Sequence, residues 1–347
     1  MIYGANGYSG RLCAELAVSR GLRPILAGRR PERIEPLAKR LGLPWRSFAL
    51  DEPRGVEDGL AGVRVVLHTA GPFSGTSQPM VDGCLAARCH YLDIAGEIPV
   101  LEALHARDAE AAAAGVCLVS GMGFDVVPSD CLAAMLATAL PDATTLELAF
   151  YFGGGQSQGT LKTVVEALPA GGTARIDGEI RDVPTGWKAR DVAFGDRTRS
   201  CVSLPWGDVA TAFWSTNIPN VTVYMAVPRA MLRAFRLVEP VRGALAYEPV
   251  QRALKGLIER AVRNPDESAR EGSRAEVWGE VTNAAGERRS GLITTPNGYS
   301  LTADAAVQGV ARLLAGGMAR TGALTPSRAF GADFVRTLSG VAVKLGG

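Results

Sequence analysis

Short apolar runs and helical patterns alternate through the first third of the chain. "MIY" at residues 1 to 3 is an apolar run that stops at Gly4 and is followed by "YSGRLCAELAVSRG", where Leu12, Leu16 and Ala17 share one face at helical spacing. "LRPILA" reads as a strand ending at Ala27, Gly28, Arg29 and Arg30 as a turn, and Pro31 as a residue suited to open the next helix. "RSFAL" before Asp51, "VRVVLHTAG" from Val63, "HYLDIAG" from His90 and "GVCLVSG" from Gly115 are further short β-rich runs, each ending in a turn. Strands alternating with helices predict an α/β fold of the Rossmann type, with a doubly wound parallel sheet. After Phe150 the pattern loosens into the glycines of "FGGGQSQG" and then into strand-like stretches, "DVATAFWST", "VTVYMAV" and "SRAEVWGEVT". A helical pattern returns from Leu301 in "LTADAAVQGVARLLAG".

Gly4, Gly7 and Gly10 stand between the first strand and the first helix with the spacing G-x-x-G-x-x-G. In that context the first glycine permits a sharp turn and the second leaves room for a pyrophosphate against the backbone. The third lets helix and strand pack closely, while N–H groups at the helix start hold the phosphates. The common dinucleotide fingerprint is G-x-G-x-x-G, so Asn6 and the displaced first glycine make this a variant. A plain tight turn is the competing explanation, and the second strand weighs against it. An NAD site would carry a carboxylate there to bind the ribose 2′-hydroxyl; here Arg29 and Arg30 stand in its place. Guanidinium groups offer permanent charge and paired donors to phosphate oxygens, which favours NADP(H); the alternative is a solvated basic helix start. Asp51 follows the third strand, placed either to meet the adenine amino group or to cap the next helix.

The 347 residues suggest two domains, and 47% apolar with 21% charged residues is the composition of a folded α/β protein. A formal charge of +2 gives no sign of a nucleic-acid partner. Six cysteines without a C-x-x-C pair, four of them in apolar surroundings, point to a reducing, cytoplasmic compartment. The three histidines form no cluster of metal-ligand spacing, so no metal is expected. The glycine turn at Gly4 leaves no room ahead of it for a secretion signal, and the longest apolar run, from Val221, is interrupted by Pro228, Arg229, Arg233 and Arg236, too short to span a membrane.

Four stretches together, "GANGYSG", "AGRR", "TAGPFS" and "YLDIAGE" followed by "GMGFDVVPSD", make the chain resemble the saccharopine dehydrogenase-like oxidoreductases, particularly the branch with the trans-acting enoyl reductases. The resemblance covers the first third and returns in "NGYSLTA" (297–303) and "GALTPSRAFG" (322–331). It implies an NADP-binding Rossmann domain, expected at 1–120 with a C-terminal return at 300–347, and a second α+β domain with a mixed sheet at 121–299 for substrate and oligomerisation. It implies a cofactor turn at Gly4, Gly7 and Gly10, a 2′-phosphate anchor at Arg29 or Arg30, and a nicotinamide-side loop at Gly71, Pro72 and Phe73. Asn6, Tyr8, Asp51 and Ala70 complete the expected cofactor contacts. The basic and acidic cluster with which amino-acid-metabolising members bind a zwitterion has no counterpart in the second domain, which speaks against saccharopine as substrate.

Hydride transfer needs an electrophilic carbon held against the nicotinamide and a group to polarise or protonate the far end of the bond. The titratable candidates are His68, Tyr91, Asp93, Glu97 and Asp125, with Tyr151 and Lys162 from the second domain. Asp125, His68 and Lys162 are taken as catalytic candidates. Helix capping competes for Asp125, and a backbone hydrogen bond for His68; Asp93 reads first as a structural carboxylate. The loop "GGGQSQGTLKT", with Ser157, Thr160 and Lys162, is either an anion or carbonyl site before a helix at Leu161 or an interdomain turn. Residues 229–263 carry eight Lys or Arg against three Glu, interleaved with apolar positions, the pattern of a peripheral membrane contact or of a solvated face over a core stripe. The expectation is an NADPH-dependent reductase of a polarised C=C in a small acyl or lipid-like substrate. The alternatives are an imine reductase or a non-catalytic NADPH-binding protein. Edge strands in the second domain are compatible with a homodimer.

Overall fold

The computed structural model describes residues 1–153, 171–195, 197–229, 231–232, 243, 247–261, 273–316 and 320–346. The chain opens with β1 (Ile2–Tyr3), α1 (Tyr8–Ser19), β2 (Leu26–Gly28), α2 (Pro31–Leu41), β3 (Trp45–Ser47) and α3 (Pro53–Leu60). It continues through β4 (Val65–His68), α4 (Phe73–Ala87), β5 (His90–Asp93), α5 (Ile98–His105), α6 (Asp108–Ala114), β6 (Cys117–Val119) and α7 (Val127–Ala139). Next come β7 (Ala143–Phe152), β8 (Gly172–Ile176), β9 (Glu179–Val183), β10 (Ala189–Ala193), β11 (Thr198–Ser203) and α8 (Asp208–Thr216). They are followed by β12 (Asn220–Ala226), α9 (Glu248–Ala261), β13 (Arg274–Asn283) and β14 (Arg288–Pro296). The last elements are α10 (Gly298–Ala315), β15 (Gly322–Leu324), α11 (Pro326–Phe330), a 3-10 turn (Ala332–Thr337) and β16 (Ala342–Gly346).

Two compact units result, Met1–Cys131 with Gly298–Ser339, and Leu132–Asn297 with Gly340–Gly347. In the first, seven strands run in the order β15-β6-β5-β4-β1-β2-β3, and every neighbouring pair is parallel. The strands are only two to four residues long, and apart from the exposed edge strand β3 most of their residues are buried and apolar, as a sheet covered on both faces requires. Strand order reverses between β1 and β4, so their carboxyl ends open a crevice at the switch point. The Rossmann-type sheet expected from the alternation of patterns is therefore the architecture observed.

The second unit is the mixed sheet that the resemblance implied. Its order is β10-β11-β12-β7-β13-β14-β16, with β12 and β7 parallel and the remaining pairs of that path antiparallel; β8 and β9 branch from β12. Gly279 and Gly291 are cross-strand partners, and a Cβ on either would lie 3.0 and 2.8 Å from Leu132, so the missing side chains let α7 settle on the sheet. On the other face side chains from β10 and the residue after it reach those of β7 and β13. Phe194 stacks on Tyr151 with 5.7 Å between ring centroids, and Ala149, Cys201, Tyr224 and Trp278 join the same core. Within it Arg190 pairs with Glu147 and with Glu280 at 3.4 Å, its guanidinium 4.5 Å from the Trp278 ring centroid.

Three expectations are corrected. "DVATAFWST" is helix α8: residues 208–212 are buried consecutively, two alanines favour helix, and Asn217 ends it in the left-handed region at φ 59°, so a local stop overrides the β-branched and aromatic content. Residues 121–131 lie with the first unit, because Met122 donates to the Asp93 carbonyl at 2.7 Å and Phe124 to Thr302 at 3.0 Å. The C-terminal return divides, since β16 pairs antiparallel with β14 and covers an otherwise open edge of the second sheet. The expected helix at Leu161 and residues 230, 233–242, 244–246 and 262–263 of the basic stretch lie outside the described residues. No described helix is long and apolar enough to cross a membrane.

Replacing Arg190 by Met leaves Glu147 and Glu280 as half-buried carboxylates without their shared cation. A loss of roughly 2–3 kcal/mol is expected in urea unfolding, with part of it recovered when Glu147→Gln is added.

Candidate functional site

The loop after β1 is built from backbone meeting backbone. Gly4 has φ +85°, and a Cβ there would lie 2.7–2.9 Å from the N, Cβ and Cα atoms of Ala70 beyond β4. A Cβ on Gly10 would run into the Gly4 carbonyl oxygen and come within 2.7 Å of Thr69 Oγ1 and 2.9 Å of Ala5 Cα. The third glycine thus serves close packing of α1 on the loop, as the spacing predicted. Gly7 is the N-cap of α1, extended at φ −69° and ψ 165°; no side chain caps the helix and no acidic residue occupies its first turn. The first N–H groups of α1 are left for an anion, and Asn6 and Tyr8 flank them, both exposed. A diphosphate fits this cradle.

At the ends of β2 and β3, Arg29 and Arg30 are exposed, and among the described residues neither guanidinium has a carboxylate partner. Arg30 is the N-cap of α2 but makes no side-chain cap bond. Ser47 Oγ donates to the Arg29 carbonyl at 3.3 Å. Asp51 is exposed nearby. Burial pushes the Tyr3 phenol up to about 12, with Arg29 working against the rise and Asp51 with it. Tyr3 donates to the Phe48 carbonyl at 2.9 Å, which ties the β1 end to the segment after β3.

Beyond β4, Gly71 and Pro72 are exposed, the peptide between them is cis, and Phe73 turns inward against Ala95 and Val100. His68 is fully buried among Tyr3, Tyr91 and Phe73. Its Nε2 lies 3.1 Å from Thr76 Oγ1, and Thr76 Oγ1 donates to the Ala70 carbonyl at 2.6 Å. With that hydroxyl proton committed, the bond requires Nε2–H on the imidazole. Burial lowers the His68 pKa to about 3, so the ring stays neutral. The expectation that His68 donates to a substrate oxygen is corrected. No solvent reaches it, and its proton holds the loop that carries Ala70.

Asp93 ends β5 as a structural carboxylate. It accepts from Ser120 Oγ at 2.7 Å, Gly121 N and Tyr91 Oη at 2.9 Å, and Ala95 N at 3.1 Å, joining the ends of β5 and β6. Its burial raises the carboxyl above the ordinary value against the pull of those donors. Asp125, after β6, differs: it is exposed, and its Oδ2 is 3.1 Å from where a Cβ on Gly96 would be. Thinned hydration, first, and the Glu97 carboxylate, second, raise it to about 6; because solvent still touches the group, the direction of the shift carries the argument. Glu97 Oε2 accepts from Gly96 N at 3.0 Å.

The tertiary structure thus gathers Gly4, Gly7, Gly10, Arg29, Arg30, Asp51, Ala70, Gly71, Pro72 and Asp125 along the carboxyl edge of one sheet. Lys162, Ser157 and Thr160 lie outside the described residues. Sequence reading missed Thr76, one turn into α4, and Tyr299, which sits in the quoted "NGYSLTA" stretch yet drew no role.

No family model matches the chain. It is 36% identical over 138 residues to a trans-acting enoyl reductase of Mycobacterium leprae, an alignment covering 38% of this chain and 33% of that protein. A Mycobacterium tuberculosis protein provisionally given the same name is 32% identical over 182 residues, 48% of this chain and 43% of that one. The chain therefore spans less than half the length of the curated relatives it matches. Among solved structures it superposes on saccharopine dehydrogenase (L-Glu forming) of Saccharomyces cerevisiae with TM-score 0.69 at 13% identity, covering 100% of this chain and 99% of that one. A homospermidine synthase of Legionella pneumophila in complex with NAD gives 0.60 at 10% identity, covering 99% and 90%. The likeness read from the motifs is borne out in sequence by the enoyl reductases and in fold by saccharopine dehydrogenase.

Gly10→Ala forces a methyl group into the Gly4 carbonyl and should cost roughly 1–3 kcal/mol in thermal unfolding. Gly75→Ala on the exposed side of α4, where a Cβ meets nothing within 4 Å, should be neutral or stabilise by up to about 1 kcal/mol.

Proposed function

We propose that the chain is an oxidoreductase that uses NADPH to reduce a polarised C=C in an acyl or lipid-like substrate. The observation carrying the cofactor is the pair of guanidiniums of Arg29 and Arg30, without a carboxylate partner among the described residues, beside a loop that admits no side chain at Gly4 or Gly10. The sequence likeness to proteins named trans-acting enoyl reductases supports the choice of C=C. Against an imine of amino-acid type stands the state of Arg190 in the second unit's core, where its guanidinium is already bound to Glu147 and Glu280.

In this reading the N–H groups at the start of α1 hold the diphosphate and either arginine binds the 2′-phosphate bidentately. Asp51 lies on the adenosine side of the loop, and Gly71 and Pro72 leave open backbone on the nicotinamide side. When bound, the reduced dinucleotide supplies a hydride to the β-carbon of the substrate. Asp125 delivers the balancing proton to the carbon next to the carbonyl, a task suited to a carboxyl raised toward neutrality. The His68–Thr76–Ala70 chain and Asp93 hold the loop ends in register while this occurs.

Titration with both coenzymes tests the cofactor half. Exchange of Arg29 and Arg30 for Ser should weaken NADPH by roughly 10- to 100-fold and leave NADH within about twofold. Equal losses for both, or none, would remove the assignment. The chemical half is tested by following NADPH oxidation with α,β-unsaturated thioesters, imines and ketones. Asp125→Asn should lower kcat on the unsaturated thioester by about 10²-fold or more without changing NADPH affinity. Because the protonated carboxyl is the active form, kcat/KM should fall as pH rises through about 6. Glu97→Gln removes a charge that helps hold the proton, so the falling limb should move to lower pH.

A further inference from the structure

Tyr8 and Tyr299 are both about half exposed, at 49% and 52%, yet their rings meet edge to face with centroids 4.8 Å apart. Tyr8 is the first residue of α1 and Tyr299 the second of α10, two helices of the first unit that pack on each other. Arg20 at the end of α1 pairs with Asp304 of α10 at 2.6 Å, which fixes the two helices together. Thr302 in the first turn of α10 accepts from Phe124 N at 3.0 Å, so the helix starts at the carboxyl end of β6, and its body lies over β4 and β5.

That location decides what the rings face. With a diphosphate on the Gly4 to Gly10 loop and the adenosine directed toward Arg29 beyond β2, the other half of the dinucleotide must extend to the opposite side of β1, over the ends of β4 and β5. The two tyrosines stand on that side, at the rim of the loop. With their planes at 79° the two half-exposed rings make a corner, in which a ring face braced by the edge of its neighbour is open to solvent, and aromatic faces gain by packing on flat conjugated groups.

We propose that the nicotinamide ring packs in the corner framed by Tyr8 and Tyr299, with Tyr299 the residue that distinguishes a complete dinucleotide from its adenosine fragment. This rests on the dinucleotide reading of the site. Tyr299 is a positioning residue here; its contact is with the ring and not with the transferred hydride.

The test is calorimetric titration of the wild-type chain and of Tyr299→Ala, Tyr299→Leu and Tyr299→Phe with two probes. The probes are NADPH and 2′-phosphoadenosine diphosphoribose, which lacks the nicotinamide. Tyr299→Ala and Tyr299→Leu should weaken NADPH about fivefold and leave the fragment within about twofold, whereas Tyr299→Phe should bind both as wild type does. Equal losses for the two probes would mean damage to the anion loop and would overturn the proposal, as would undiminished NADPH affinity in both truncated variants. Wild-type protein that binds neither probe overturns the dinucleotide reading, and this proposal with it.

Discussion

The contact on which the first unit depends is the meeting of three stretches of bare backbone where Gly4, Gly10 and the Thr69–Ala70 segment converge. No Cβ fits at Gly4 or Gly10, so β1, α1 and the end of β4 approach as closely as main chains can. This closeness brings the switch point of the sheet and the start of α1 to one spot. Helix N–H groups without a capping side chain then face the opening between β1 and β4. Any side chain inserted there would separate the strand ends.

Around that contact the polar interior serves position more than reaction. Asp93 gathers four donors from β5, β6 and their turns, and His68 donates its one N–H to Thr76, whose own hydroxyl donates to the carbonyl of Ala70. Both groups are buried, and burial pushes each toward its neutral form, the carboxyl up and the imidazole down. Asp125 meets the same pressure while keeping contact with solvent, and that combination suits a group that must exchange a proton. The division between buried holders and the exposed carboxyl proposed as proton donor follows from where each strand stops.

The second unit solves a different problem. Its sheet hides Trp278, Tyr224 and Phe194 on one face and carries the Arg190, Glu147 and Glu280 group among them. Such a network is stable when each charge has its partner, and costly to any ligand that would compete for one of them. The paired glycines Gly279 and Gly291 give the opposite face its close fit to α7.

The amino-acid sequence by itself determined the parallel α/β architecture, the glycine loop and the basic end of β2. Those features are local: strand runs, helical spacing and a turn within a few residues of each other carry them. It misjudged "DVATAFWST", because a segment rich in β-branched and aromatic residues becomes helix when its flank supplies a stop and its first five residues are buried in succession. The enclosure of His68, the four donors on Asp93, the contact of Tyr8 with Tyr299 and the pairing of β16 with β14 were decided by tertiary structure alone. Each joins residues separated by intervening elements, and no spacing along the chain records which side chains will share a face once the strands have chosen their neighbours.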